Sequence, residues 1–125
     1  MYQTWEELEH DCLLCEKCEL RKDRTQVVFG VGNRNAKVLF IGEGPGEQED
    51  LQGKPFVGRS GQYLDKQLAA VGLSRDKDIY IANIVKCRPP KNRDPLPEEQ
   101  DACINWLRAQ TSVSYTHLTL PTIRL

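Results

Sequence analysis

The chain has 125 residues, which is enough for one small domain and not for two. With 39% hydrophobic and 28% charged residues its composition is typical of a globular protein, and no apolar run is long enough to cross a bilayer. The net charge of −1 excludes a global basic field, and the acidic N-terminal segment is unlike a signal peptide. We therefore expect a cytoplasmic monomer that is not bound to a membrane.

The first half of the chain predicts one helix and two strands. Thr4 and Glu7 form a capping-box pattern, which predicts a short helix over about residues 5–11. Residues 25–30, TQVVFG, predict a short edge strand. The compact apolar run 37–41, KVLFI, is typical of a buried parallel strand.

The second half continues the alternation of strands and helices. Residues 60–71 predict a helix that ends at Gly72 and whose inner face carries Leu64, Leu68 and Val71. Residues 78–85, DIYIANIV, predict a second buried strand, and Pro97 is expected at the first position of a helix that reaches about residue 109. The order strand, helix, strand indicates an α/β fold.

The last residues do not continue this pattern. The segment SVSYTHLTLPTIRL resembles a translated sequencing-library adapter, although a genuine C-terminal strand is the alternative. We expect residues 1–111 to be the N-terminal part of a single domain and residues 112–125 to be a non-native tail.

Five cysteines are a high number for a chain expected in the cytosol, where disulfides are rare, so metal binding or catalysis is the better interpretation. Cys15 and Cys18 form a C-x-x-C pair, while Cys87 and Cys103 lie far downstream. Four thiolates can hold a zinc ion or a [4Fe–4S] cluster, and the wide second pair slightly favours the cluster. Cys12 is interpreted as a spare thiol, because no further cysteine follows at ferredoxin spacing.

Two other segments carry candidate binding residues. The glycine-rich segment 42–46, GEGPG, directly follows a predicted strand, where ligands bind in open α/β sheets, but it lacks the Lys-Ser/Thr of a P-loop and the dinucleotide spacing. A late basic cluster could contact phosphates or form a solvated loop; its members are Lys86, Arg88, Lys91 and Arg93.

Four motifs occur in a fixed order between about residues 5 and 110. They are CEKCEL at 15–20, GEGPG at 42–46 with Glu49 and Asp50 after it, GKPFVG at 53–58, and YIANIVKCRPP at 80–90. In this order and spacing they resemble the iron–sulfur, thermophile-type family of uracil-DNA glycosylases, known as family four. The resemblance implies an enzyme of base excision repair that acts on uracil-containing DNA and hydrolyses the N-glycosidic bond of deoxyuridine.

The resemblance also implies a fold, a cofactor and a set of roles. The fold is a three-layer α/β/α domain with a central, mainly parallel sheet, here incomplete at the C-terminus. The cofactor is a [4Fe–4S] cluster held by Cys15, Cys18, Cys87 and Cys103. Glu43 is the candidate for stabilising the sugar cation, while Glu49 and Asp50 assist it or hold the loop.

Base recognition is assigned by the same resemblance. Glycosylases take the base out of the stack, so the pocket needs a surface for stacking and a group that reads the base edge. Phe56 is the stacking candidate, and the Asn83 amide matches the N3–H and O4 of uracil. Gly44 and Gly46 would let the backbone approach the base or a phosphate closely.

The family's second catalytic motif, a His-Pro-Ser-like segment, does not occur in the chain. Neither His10 nor His117 fits it, so we expect the activity of this chain to be impaired. A DNA-linking relative is disfavoured because the loop after Cys87 lacks a histidine. Two alternatives remain, an iron–sulfur electron carrier and a zinc-stapled nucleic-acid-binding module, both without glycosylase activity.

Overall fold

The computed structural model describes residues 3–114, which form an α/β arrangement of four helices and three strands within that range. In chain order the elements are α1 (Trp5–Leu13), β1 (Val31–Gly32), β2 (Val38–Gly42), α2 (Glu47–Gln52), α3 (Arg59–Ala70), β3 (Ile79–Asn83) and α4 (Pro97–Ser114). Two 3-10 turns, Glu19–Lys22 and Pro90–Asn92, lie in the connections.

The three strands form one sheet in the order β1-β3-β2. Strands β2 and β3 are parallel, and their register pairs Val38 with Ile79 and Gly42 with Asn83. The short strand β1 is antiparallel to β3. Because the carboxyl ends of β2 and β3 coincide, the glycine-rich loop after β2 and the side chain of Asn83 lie at the same edge of the sheet.

Side chains of β3 alternate between two apolar clusters, as expected for a strand with two buried faces. Tyr80 and Ala82 join a cluster that includes residues of α1 and α4, such as Leu8 and Trp106. Ile79 and Ile81 pack instead in a cluster with two residues of α3, Leu64 and Leu68.

The expected edge strand at residues 25–30 is wrong, because the strand next to β3 is β1, at residues 31–32. The earlier segment is irregular, although the N–H of Val28 donates to the carbonyl of Lys86 at 2.7 Å. Gly30 has a φ of +155° and lies so close to Tyr80 that a Cβ would be 2.3 Å from its hydroxyl oxygen. A side chain at this position would therefore clash with the Tyr80 ring just before β1 begins.

The helices also differ from the expectation, in the ends of α3 and α4 and in one additional helix. Helix α3 ends at Ala70, so Val71 is 70% exposed and does not join the inner face; Gly72, at a φ of +77°, turns the chain away. Helix α2 was not predicted, and α4 continues to Ser114. The rest of the expected tail, with His117, lies outside the described residues.

Within the described range, no helix combines the length and the apolar character needed to span a bilayer.

Candidate active site and cysteine cavity

A cavity of about 350 Å³ opens at the carboxyl ends of β2 and β3, and we call it the strand-end pocket. It is built by the loop after β2, the turn before α3 and the proline-rich loop after β3. Six of the seven predicted catalytic and substrate-binding residues line it: Glu43, Gly44, Gly46, Glu49, Phe56 and Asn83. Other parts of its wall come from Arg59, Ser60, Asn92 and Arg93.

The stacking candidate and the edge-reading candidate meet beside Gly42. A Cβ at Gly42 would lie 2.4 Å from Oδ1 of Asn83 and 2.6 Å from ring atoms of Phe56. The missing side chain therefore allows the aromatic ring and the amide to approach one another at the pocket wall. Phe56 and Asn83 are thus brought together from positions 27 residues apart in the sequence.

Asn83 is only 2% exposed, and its Oδ1 atom has no hydrogen-bond partner, the one such buried side-chain atom in the described part of the chain. Buried polar atoms are nearly always hydrogen-bonded, and leaving one unsatisfied costs about 1–3 kcal/mol. An acceptor in this position is suited to a donor brought by a ligand.

Glu49 connects the two loops that form the pocket. Its Oε1 accepts a hydrogen bond from the N–H of Gly46 at 3.0 Å, while its Oε2 accepts from the N–H groups of Val57 at 2.9 Å and Gly58 at 2.7 Å. Partial burial acts to raise the pKa of this carboxyl, but the backbone donors outweigh it and lower the pKa below its ordinary value. The geometry of Glu49 is that of a loop-holding carboxylate.

Asp50 does not line the strand-end pocket. It is 2% exposed, and its Oδ1 accepts hydrogen bonds from the N–H groups of Thr25 at 2.8 Å and Gln26 at 3.3 Å. This carboxylate joins the N-terminal connection to helix α2.

Glu43 is half-buried on the pocket wall. Its carbonyl accepts from the N–H of Val85 at 3.1 Å, which extends the pairing of the two strands by one step. Gly44 is needed for packing, since a Cβ there would lie 2.6 Å from the Val85 side chain. The N–H of Gly46 is engaged by Glu49.

All four cysteines that were expected to bind a cofactor line a second, small cavity, which we call the cysteine cavity. Cys15 and Cys18 follow helix α1, Cys87 lies on the loop after β3, and Cys103 lies on α4. Lys17, Arg21 and Arg24 complete much of its wall. The fold thus brings together thiols that are up to 88 residues apart.

Nitrogen donors point at three of these sulfur atoms. Cys15 Sγ accepts from Trp106 Nε1 at 3.3 Å, Cys87 Sγ from Arg24 Nη1 at 3.3 Å, and Cys103 Sγ from the N–H of Lys86 at 3.1 Å. Burial raises the pKa of Cys87, and it raises that of Cys103 to about 12. Metal binding at these thiols would therefore release protons.

In the described part of the chain, no three His, Cys, Asp or Glu side chains converge closely enough to share a single metal ion. A four-iron cluster makes a different demand, since each thiolate binds a separate iron. Cys12 is fully buried in the apolar cluster of α1 and does not line the cavity, and burial raises its pKa far above the usual range.

The family model of the uracil DNA glycosylase superfamily matches residues 29–121, about three quarters of the chain. The chain belongs to the uracil DNA glycosylase superfamily. Both the strand-end pocket and the second cysteine pair lie largely inside the matched segment.

Relatives within this superfamily confirm the resemblance to family four. A type-4 uracil-DNA glycosylase of Archaeoglobus fulgidus is 47% identical over 86% of this chain and 54% of its own length. One of Thermotoga maritima is 52% identical over 79% of this chain and 51% of its own length. A type-5 uracil-DNA glycosylase of Thermus thermophilus is 32% identical over 78% of this chain and 48% of its own length. The chain thus spans about half the length of these relatives.

The expected basic cluster is divided by the fold, since Lys86 is buried whereas Lys91 and Arg93 are exposed. Lys86 is 1% exposed, and its Nζ donates to Oε1 of Gln110 at 2.6 Å, so its predicted solvent exposure is wrong. Arg93 forms a bidentate pair with the buried Glu99, at 2.8 Å for both bonds. Arg88 donates to Asn92 at 2.7 Å.

Three functional candidates of this superfamily member were missed by the sequence analysis. Arg24 and Trp106 donate to cysteine sulfurs, and Arg75 donates to backbone carbonyls next to Phe56. Both arginines lie in irregular connections, where neighbouring residues carry no signal of such contacts. Trp106 had one, because it lies one helical turn after Cys103 and therefore on the same side of α4.

Proposed function

We propose that this chain carries the uracil-recognition site of a uracil-DNA glycosylase, which hydrolyses the N-glycosidic bond of deoxyuridine in DNA. The proposal rests on one observation above all, the buried and unpaired Oδ1 of Asn83 beside the ring of Phe56. The names of the type-4 relatives support the same activity.

The pocket chemistry suits uracil better than cytosine. Uracil presents a donor at N3 and an acceptor at O4, and an Asn amide offers an acceptor and donors to match them. Cytosine presents an acceptor and a donor at the same positions. Phe56 supplies a flat apolar surface on which an extruded base can stack, an interaction worth about 1–3 kcal/mol per base.

Glu43 is the proposed catalytic carboxylate. Cleavage of the glycosidic bond builds positive charge on the sugar, and a carboxylate on the pocket wall stabilises that charge and orients water. Glu49 and Asp50 were expected to assist Glu43 or to hold the loop. They are proposed to hold the surrounding segments in place, since their oxygens accept hydrogen bonds from backbone N–H groups. Gly44 and Gly46 are proposed to keep the loop close to the base.

A [4Fe–4S] cluster on Cys15, Cys18, Cys87 and Cys103 is the proposed cofactor. Its support is the shared cavity and the N–H donors aimed at three of the four sulfurs, the type of contact that surrounds cluster thiolates. When bound, the cluster would supply cross-links rather than chemistry on the base. The four cysteines would then tie the N-terminal segment to the loop after β3 and to α4.

The fold of the complete domain, its partner and its location in the cell are also proposed. The complete domain would be a three-layer α/β/α structure with a mainly parallel sheet, supported by the parallel pair β2–β3 and by apolar clusters on both faces of β3. The partner would be uracil-containing DNA. A cytoplasmic location and a monomeric state are also proposed, and the first accords with cysteines that form no disulfide among the described residues.

The test uses the chain reconstituted anaerobically with iron and sulfide. We expect about four irons per chain, preferential binding of a uracil-containing oligonucleotide over a thymine control, and alkali-labile cleavage at uracil alone. Stoichiometric zinc in place of iron would contradict the cofactor. Equal binding of the two oligonucleotides, together with no cleavage, would contradict the proposed function.

A further inference from the structure

Arg75 lies in the connection between α3 and β3 and reaches back to the turn that carries Phe56. Its Nη1 donates to the carbonyl of Pro55 at 3.1 Å, and its Nη2 donates to the carbonyls of Phe56 at 2.5 Å and Gly61 at 3.3 Å. Its Nε donates to Oδ1 of Asp65 at 2.7 Å. The side chain is only 15% exposed, so four polar groups are satisfied by one largely buried guanidinium.

The backbone at Phe56 needs such support. Phe56 has a φ of +54°, in the left-handed region that residues with a large side chain rarely adopt. A conformation of this kind costs about 1–3 kcal/mol and persists only where its surroundings enforce it.

The packing of α3 adds a second constraint on the same peptide. A Cβ at Gly61 would lie 1.8 Å from the carbonyl oxygen of Phe56, so the first turn of α3 sits directly against that group. The carbonyl is therefore fixed between Gly61 and the guanidinium of Arg75, and the aromatic ring is directed to the pocket wall beside Asn83.

We propose that Arg75 is a positioning residue for base recognition, which holds the ring of Phe56 in place by binding the carbonyls on either side of it. The inference rests on the proposed function, because it takes Phe56 as the surface on which the base stacks. Arg75 does not line the strand-end pocket, so it acts through Phe56. Asp65 orients the guanidinium from the solvent side.

The geometry requires an arginine rather than any cation. A guanidinium presents five donors in a rigid planar fork, whereas an ammonium is a compact charge with three rotating donors. Lysine at this position would retain the attraction to Asp65, but its three donors could not satisfy that carboxylate and all three carbonyls at once. Arg75→Lys therefore separates charge from geometry, and Arg75→Gln removes both.

The first measurement is amide hydrogen exchange of the whole chain, which needs no ligand. In Arg75→Gln we expect exchange over residues 54–61 to accelerate by about tenfold, while exchange in α4 stays unchanged. Arg75→Lys should accelerate the same segment. Arg34→Gln is the matched control, because Arg34 forms only an exposed pair with Glu6 and a distant contact with Trp5. Unchanged exchange over 54–61 in both Arg75 variants would overturn the proposal.

The second measurement is equilibrium binding of two oligonucleotides, one with a non-hydrolysable deoxyuridine analogue and one with thymidine. In both Arg75 variants we expect the preference for uracil to fall by about tenfold, with thymidine binding unchanged, because a misplaced ring loses stacking. A merely structural role would weaken both affinities alike.

The outcomes separate this inference from the function on which it rests. Faster loop exchange with an intact uracil preference would overturn the positioning role. A wild-type chain without any uracil preference would overturn the proposed function and the recognition role with it. Wild-type preference that Arg34→Gln retains and both Arg75 variants lose would support the inference.

Discussion

The strand-end pocket and the cysteine cavity share one short segment of chain, since Asn83 ends β3 and Cys87 follows four residues later. Their polar atoms are arranged in opposite ways. In the pocket, the Oδ1 of Asn83 is buried without a donor. In the cavity, three of the four sulfur atoms already accept hydrogen bonds from the protein.

The difference reflects what each region is proposed to hold. A base that enters and leaves must bring its own hydrogen bonds, so the protein keeps one acceptor ready and fixes it by burial. A cluster that stays bound carries negative charge on its sulfurs, and permanent donors stabilise that charge. The unpaired amide oxygen therefore fits the proposed transient ligand, and the satisfied sulfurs fit the proposed resident one.

The largest expected effect comes from breaking the cysteine cavity. Cys87→Ala should reduce the iron content of the reconstituted chain to near zero and lower the free energy of unfolding by about 4 kcal/mol or more, as is typical when a structural metal site is lost. Iron analysis and thermal unfolding measure the two effects. Cys12→Ala is the matched control, because this thiol is equally buried but lies outside the cavity. Iron retained in the first variant, or lost in the second, would contradict the assignment.

A smaller effect is expected from changing the Asn83 amide that carries the unpaired acceptor. Asn83→Asp replaces the amide donors with a second acceptor, so the pocket should lose its preference for uracil over cytosine by roughly thirtyfold, or about 2 kcal/mol. Competition between a uracil-containing and a cytosine-containing oligonucleotide measures the ratio of the two affinities. Asn105→Asp makes the same chemical change on an exposed part of α4. An unaltered ratio in Asn83→Asp would remove Asn83 from recognition.

The donors in the cysteine cavity allow a finer test. Arg24 joins the two halves of the site, since it donates to the carbonyl of Cys15 at 2.6 Å and to the sulfur of Cys87 at 3.3 Å. Arg24→Gln should keep the fold but release iron to a chelator about tenfold faster, the lower end of what outer contacts contribute to metal affinity. Arg108→Gln, on the exposed face of α4, should release iron at the wild-type rate. Equal rates for both variants would show that Arg24 does not support the cluster.

The smallest expected effect concerns the loops of the pocket. The backbone donors keep the pKa of Glu49 below its ordinary value of 4.5, so this carboxylate stabilises the fold above that pH. The contribution is lost as the pH falls through the lowered pKa. Glu49→Gln should cost about 1 kcal/mol at neutral pH and flatten the decline in stability below pH ~4.5.

Denaturant unfolding between pH 3 and 7 measures the effect of Glu49→Gln on stability, with Asp76→Asn as a control at an exposed carboxylate. A decline of equal slope in wild type and Glu49→Gln would show that Glu49 does not hold the loops.

The sequence predicted those parts of the molecule that depend on local pattern. The apolar runs around Phe40 and Ile81 predicted the parallel strands β2 and β3, and the motifs predicted the four cysteines that share a cavity. The sequence-based prediction failed where contacts between residues far apart in the chain determine the local structure. The edge strand begins after Gly30, at a close contact with Tyr80, a residue 50 positions away that no local pattern reveals.

The site shows the same limit in its charged residues. Lys86 was grouped with exposed cations because of its sequence neighbours, but it continues a buried segment after β3 and its partner is on α4. Arg24 and Arg75 were missed because backbone carbonyls and a remote sulfur are their partners, and these leave no pattern in the sequence. The unpaired state of Asn83 also depends on three-dimensional surroundings.

The burial of Lys86 makes its reactivity a measure of local unfolding in this protein. Its ammonium donates to Gln110, whose Nε2 in turn donates to the carbonyl of Phe29 at 3.0 Å, so α4 and the segment before β1 close over it. Amine-acylating reagents modify only lysines that reach water. The acylation rate of Lys86 therefore reports the frequency with which α4 separates from the sheet. The acylation rate of the exposed Lys91 would not depend on that opening.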